Sequence, residues 1–188
     1  MAEEQKRAAT DPMAGVKEQT YDKYFTDSPD PWVAISKIKY GSDLSLANTV
    51  ESQVMMADPK QRPGMEKKLL KALSKTEDSS AAIMMICKLL ACVGSEASAL
   101  PLAPLLKASN TSDAARVALE AIPGEEVNKV LREALTVLTE NKLAGLIGTV
   151  VVRRDREAIP ILQKLAEDGN QSKIVKQAVT RALEDLNS

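Results

Sequence analysis

All the aromatic side chains of this chain fall in one short window: Tyr21, Tyr24, Phe25, Trp32 and Tyr40, with none from Gly41 to Ser188. Leu, Ile, Val, Ala and Met nevertheless recur through that aromatic-free stretch at helical spacing. A core built only from short and medium aliphatic side chains suits helices packed closely in pairs, one layer thick. It suits a broad globular interior less well. The expectation is an all-α chain of stacked helical hairpins, offering a surface for binding rather than a pocket for chemistry.

Punctuation divides the stretch into helices. Pro31 can occupy a first helical position, after which Trp32, Ile35 and Ile38 share a face until Gly41 stops the helix. Further helices are predicted over 45–57, 65–74, 80–93, 100–108, 112–122, 125–139, 142–152, 156–167 and 172–186. Pro101, Pro123 and Pro160 fall within or just before first turns, where a missing N–H costs nothing. Short polar breaks imply antiparallel neighbours, and hence about five hairpins over residues 31–188. The segment 80–93 is apolar nearly all round, as expected of a helix covered on several sides. Residues 143–152 hold Gly145, Gly148 and three consecutive valines, which read locally as strand. A lone strand would have no partner, and Leu143, Leu146, Ile147 and Val150 make a helical face, so a helix is predicted. The two glycines, at about 1 kcal/mol each relative to alanine, would permit close approach of a neighbouring helix.

Residues 1–30 read as a flexible tail in which acids outnumber bases and Val16 is the only branched aliphatic. Tyr21, Tyr24 and Phe25 there have the i, i+3, i+4 spacing of one helical face. They are expected to form a cap docked over the first hairpin, to serve as a short docking motif for another protein, or to stay disordered.

Internal repetition supports an array. Ala99-Leu-Pro-Leu-Ala-Pro-Leu-Leu106 matches Ala158-Ile-Pro-Ile-Leu-Gln-Lys-Leu165, and Val117-Ala-Leu-Glu-Ala-Ile122 echoes Arg181-Ala-Leu-Glu-Asp-Leu186. At these residues, and in Val175 to Leu186 with Lys176 at its basic position, the chain resembles the HEAT-repeat (armadillo-like) α-solenoid superfamily. Leu102–Leu106, Ala115–Pro123, Leu131–Leu135, Gly145–Gly148 and Val152–Ala158 resemble a bacterial variety of HEAT module found in larger exported multidomain proteins. The resemblance implies a right-handed α-α superhelix and a role in holding partners, with no catalytic residues. On this reading the chain is expected to depart from that variety, with neither an export signal nor a second domain.

Charge and side-chain inventory narrow the function. A formal net charge of −1 and a pI near 5.7 give no broad reason to seek nucleic acid or anionic lipid. The longest nearly apolar run, Ala81 to Val93, is too short to span a membrane. As it stands the chain reads as cytoplasmic, or as periplasmic or exported if Met1 replaces a removed signal peptide. Without histidine, Ser-His and Cys-His nucleophile systems are excluded, no carboxylate pair stands in a recognisable frame, and no phosphate-binding glycine pattern occurs. The expectation is a non-enzyme with no cofactor and no metal. Cys87 and Cys92 point roughly 140° apart around one helix with Cα atoms about 8 Å apart, beyond disulfide reach, and both are expected to be buried thiols.

Second helices of each pair should line the concave side, presenting Arg116, Thr149, Gln177, Thr180, Arg181 and Glu184. The cluster Arg153, Arg154, Asp155, Arg156 has two readings. Its arginines could grip a partner carboxylate or phosphate in fork geometry. Alternatively, Asp155 caps the next helix while the arginines pair with acids of adjacent repeats. Lys67, Lys71 and Lys75 form an i, i+4 stripe beside Lys68 that reads as a solvated helix face. Met55, Met56, Met84 and Met85 read as filler in an aromatic-free core. The expected function is a protein–protein scaffold or adaptor, monomeric or weakly dimeric. The alternative is an accessory carbohydrate- or small-ligand-binding module that assists a partner enzyme.

Overall fold

The computed structural model describes residues 29–188. The tail motif Tyr21, Tyr24 and Phe25 lies outside the described residues. From Pro31 to Ser188 the chain is a succession of helices, with no strand among the described residues. They are α1 (Pro31–Ala34), α2 (Ser45–Met55), α3 (Arg62–Leu73), α4 (Ser80–Val93), α5 (Ala99–Leu102), α6 (Ser112–Ala121), α7 (Glu125–Leu135), α8 (Glu140–Val152), α9 (Ile159–Glu167) and α10 (Lys173–Asn187).

Consecutive helices pack in pairs: α1 with α2, α3 with α4, α5 with α6, α7 with α8, α9 with α10. The second members also pack serially, α2 on α4, α4 on α6, α6 on α8 and α8 on α10. On the other side α1 meets α3, and α5 meets α7. The core runs between these two rows, through Leu69, Ile86, Leu90, Leu102, Leu119, Leu131, Leu146, Leu162 and Val179, all at or near zero exposure. Each such Leu or Ile contributes about 1.5–3 kcal/mol by leaving water. The all-round apolar character of α4 has its cause here, since α4 is covered by α2, α3, α6 and the turn after α1.

Two expected helices are shorter than their patterns. Instead of running to Gly41, α1 passes at Ile35–Lys37 into a 3₁₀ turn, where the Ser36 hydroxyl donates to the Val33 carbonyl (2.8 Å) and Ile38 turns extended. Instead of one helix over 100–108, α5 is a single turn between 3₁₀ segments Glu96–Ser98 and Ala103–Lys107. Pro104 explains the break: it has no N–H for Leu100, and its ring crowds that carbonyl. The 143–152 segment is helical, as its face predicted.

The glycines of α8 act differently from expectation. A Cβ at Gly145 would meet the Arg116 side chain at 3.3 Å, so Gly145 makes room for an arginine rather than a helix backbone. A Cβ at Gly148 would meet nothing within 4 Å. Gly124 is essential in another way. Its φ of +116° lies outside the region L side chains adopt, and a Cβ there would strike the Glu96 side chain.

Candidate interaction surface

The sequence-nominated arginines separate into those aimed inward and those left outside. Arg153, at the end of α8, reaches the place where α6 stops and α7 begins. Its Nη1 donates to the carbonyls of Leu119 (2.9 Å), Glu120 (3.0 Å) and Ile122, its Nη2 to Gly124 (3.2 Å), and its Nε to Asn128 Oδ1 (2.7 Å). These include the orphan carbonyls every helix C-terminus must satisfy, and a cation there also opposes the negative end of the helix dipole. Burial lowers the Arg153 pKa from its ordinary value, against the attraction of Asp155, Glu125 and Glu120.

Asp155 is buried and does not cap the following turn through its side chain. Both its oxygens accept from Arg132 Nη1 of α7, at 2.7 and 2.9 Å. Arg132 Nη2 meets Glu125, and Glu157 at 3.2 Å. The hydrogen bond from Arg132, then that from Asn128, holds the exposed Glu125 carboxyl below the usual carboxylate range.

Arg154 and Arg156 are exposed and make no ion pair among the described residues. Arg154 has φ +54°, and the Asp155 N–H bonds the Val150 carbonyl (3.1 Å) while the Arg154 N–H bonds Val151 (2.8 Å). This is a Schellman ending with arginine at the left-handed position glycine usually fills.

Arg116 is partly covered. Its Nη1 donates to Thr149 (3.0 Å), whose hydroxyl donates to Glu120 (2.7 Å), tying α6 to α8. Thr149 itself is fully buried, correcting its expected surface position. Gln177, Thr180, Arg181 and Glu184 are brought together: they line an open depression of about 610 Å³ on α10, with Gln171, Lys173 and Lys176.

A second concavity was not legible in the sequence. A groove of about 660 Å³ lies before α4 and α6, closed at one side by the 38–44 segment. Its walls are mostly apolar, formed by Tyr40, Leu44, Met84, Met85, Ala114 and Val117, with Lys39, Lys88 and Asp113 at its edges. Tyr40 is 79% exposed, and its hydroxyl donates to Met84 Sδ at 3.5 Å. Met84 is 42% exposed, and Met55 and Met56 are also exposed, so these three methionines are surface residues rather than core filler. No sequence motif marks this groove, because residues far apart in the chain line it and only the tertiary packing of the 38–44 segment closes it.

The expectation of two buried thiols holds for one of them. Cys87 is buried, and burial pushes its thiol pKa up to about 12. Cys92 is exposed instead and donates to the Lys88 carbonyl at 3.6 Å. No group of carboxylates and thiols able to hold a metal ion occurs among the described residues, and no described helix is long and apolar enough to cross a membrane.

The fold and surface define an all-α chain of paired helices with an open apolar groove. Compared with protein-family models, curated proteins and solved structures, the chain gives no significant match. The likeness to HEAT repeats therefore rests on residue pattern alone.

Proposed function

We propose that this chain is a non-catalytic protein-binding scaffold whose five hairpins stack as a right-handed HEAT-like superhelix. Serial packing of α2, α4, α6, α8 and α10 supports that arrangement, because each second helix touches its neighbours in turn. The observation that carries the functional reading is the groove before α4 and α6. Exposed Tyr40, Leu44, Met84 and Val117 cluster around one concavity instead of scattering singly. A long methionine side chain can refit to different apolar partners, as adaptable binding surfaces require. The partner is another protein. Arg154 and Arg156, and the α10 depression with Gln177, Thr180, Arg181 and Glu184, are further contact points at the other end of the row.

The test is affinity capture by the full chain from an extract of its own cells, beside a Met84→Glu, Val117→Glu variant. A discrete protein retained by the wild type and lost from the variant supports the scaffold. Identical recovery by both, or recovery of nothing specific, contradicts it.

A carbohydrate-binding accessory role is the second reading, favoured by one observation: Tyr40 offers an exposed ring at the groove edge. Trp32 fluorescence discriminates the two. A saturable change with oligosaccharide supports the sugar reading, and silence leaves the scaffold.

A further inference from the structure

The first helices carry a charge pattern that the groove does not use. Between Pro31 and Lys75 there are eight Lys and Arg residues against four Asp and Glu, although the chain as a whole is nearly neutral. All four acids are committed elsewhere. Asp43 accepts from the N–H and hydroxyl of Ser45 (2.9 and 3.0 Å), and Asp58 accepts from the N–H groups of Lys60 (2.8 Å) and Gln61 (3.1 Å). Glu51 pairs with Lys88 at 2.6 Å. Glu66, a buried residue of α3, accepts from Ser95 and Ser98.

The lysines take no part in these contacts. Lys67 and Lys71 are exposed one turn apart on α3, about 6 Å along its axis, and Lys75 is exposed in the turn after it. Lys37 and Lys39 share an open cleft with Lys75. None of these five makes an ion pair among the described residues, and Lys68 beside them lies 4.8 Å from the centre of the Trp32 ring. Glu77 and Asp78 line the same cleft without pairing to any of them. The helix dipole accounts for cations at the end of α3, but not for Lys67 or for Lys37 and Lys39. Like charges at i, i+4 repel, so the stripe does not stabilise its own helix.

We propose that the lysine face of α3, continued by Lys37 and Lys39, is a docking surface for an acidic segment of a partner protein. Charge complementarity selects that occupant. The chain's formal net charge of −1 argues against a polyphosphate backbone as occupant, and the lysine stripe itself offers no arginine fork or aromatic ring, Tyr40 standing only where the cleft meets the groove. Its exposed face also carries no large apolar side chain to enter a bilayer. The surface goes beyond the groove reading, and it adjoins the groove at Lys39 and Tyr40, which line both concavities.

The experiment titrates the full chain into a labelled oligoglutamate peptide at low salt and reads anisotropy. The wild type should bind saturably, and affinity should fall at least about tenfold in both the Lys67→Glu, Lys71→Glu, Lys75→Glu variant and its all-glutamine counterpart. A Lys107→Glu, Lys164→Glu variant, changed at two exposed lysines outside the groove and the α10 depression, should bind like the wild type. Circular dichroism checks that each variant remains folded. Unchanged binding by both α3 variants would overturn the proposal, as would loss only in the Lys107→Glu, Lys164→Glu variant. Tighter binding to a single-stranded oligonucleotide or to phosphatidylserine vesicles would overturn it as well. None of these failures touches the groove, whose own variant is read separately.

Discussion

The α6–α7–α8 junction and the α1–α3–α4 end solve opposite problems with similar residues. At the junction Arg116, Arg132 and Arg153 are engaged inside the chain, while Arg154 and Arg156 beside them stay exposed. Arg153 closes the carbonyls of α6, and Arg132 meets the buried Asp155 together with Glu125 and Glu157. At the other end Lys37, Lys39, Lys67, Lys71 and Lys75 make no ion pair among the described residues, and Met84 and Tyr40 stand open to solvent. The first region is finished by its own sequence, whereas the second leaves both charge and apolar surface unmatched. Charged side chains used internally confer stability, and those left over are available for recognition.

The largest expected effect would come from breaking the finished region. Arg132→Met leaves the Asp155 carboxylate, with 4% side-chain exposure, without its partner. That should cost about 3–4 kcal/mol in denaturant unfolding, because a buried charge is stranded. Arg153→Met should cost about 2 kcal/mol by the same measurement, since several carbonyls at the end of α6 lose a charged donor. Arg154→Gly should act in the opposite direction and stabilise the chain by about 1 kcal/mol, because glycine adopts φ +54° without a Cβ penalty. A loss of stability there would mean the exposed guanidinium has a partner within the fold.

In the groove, Val117→Glu should change stability by no more than about 0.5 kcal/mol, as a surface substitution does. A large loss would show that the groove is packed and not open. The smallest effect concerns pH. Glu125 titrates below its ordinary value in the fold, so its stabilising contribution is complete above the usual carboxylate range and disappears as pH falls through the folded value. The melting-temperature difference between wild type and Glu125→Gln should therefore be present at neutral pH and close only as pH falls below the ordinary carboxylate range.

Helix period and punctuation made most of the architecture legible. The stripe Leu143, Leu146, Ile147 and Val150 identified α8 despite its valines, because a helical face needs only spacing. Pro104 was harder to weigh, since a proline inside a first turn and one just beyond it look alike in sequence. The role of Arg153 was hidden for a different reason: four of its acceptors are backbone carbonyls, which leave no trace in residue identity. The groove was hidden because Met84 and Met85 read identically whether covered or open. Gln177, Thr180, Arg181 and Glu184 were legible as a group because polar residues at helical spacing on α10 must share a face.

The claim that the groove before α4 and α6 receives another protein is tested most directly by a photo-crosslinking amino acid placed in the full chain inside its own cells. Position 117 samples the groove, and position 137, also exposed, samples the dent beside α5 and α7. One discrete adduct from 117, absent from 137 and abolished by Met84→Glu, is the predicted result. Adducts from 137 alone, or none from 117, would contradict it.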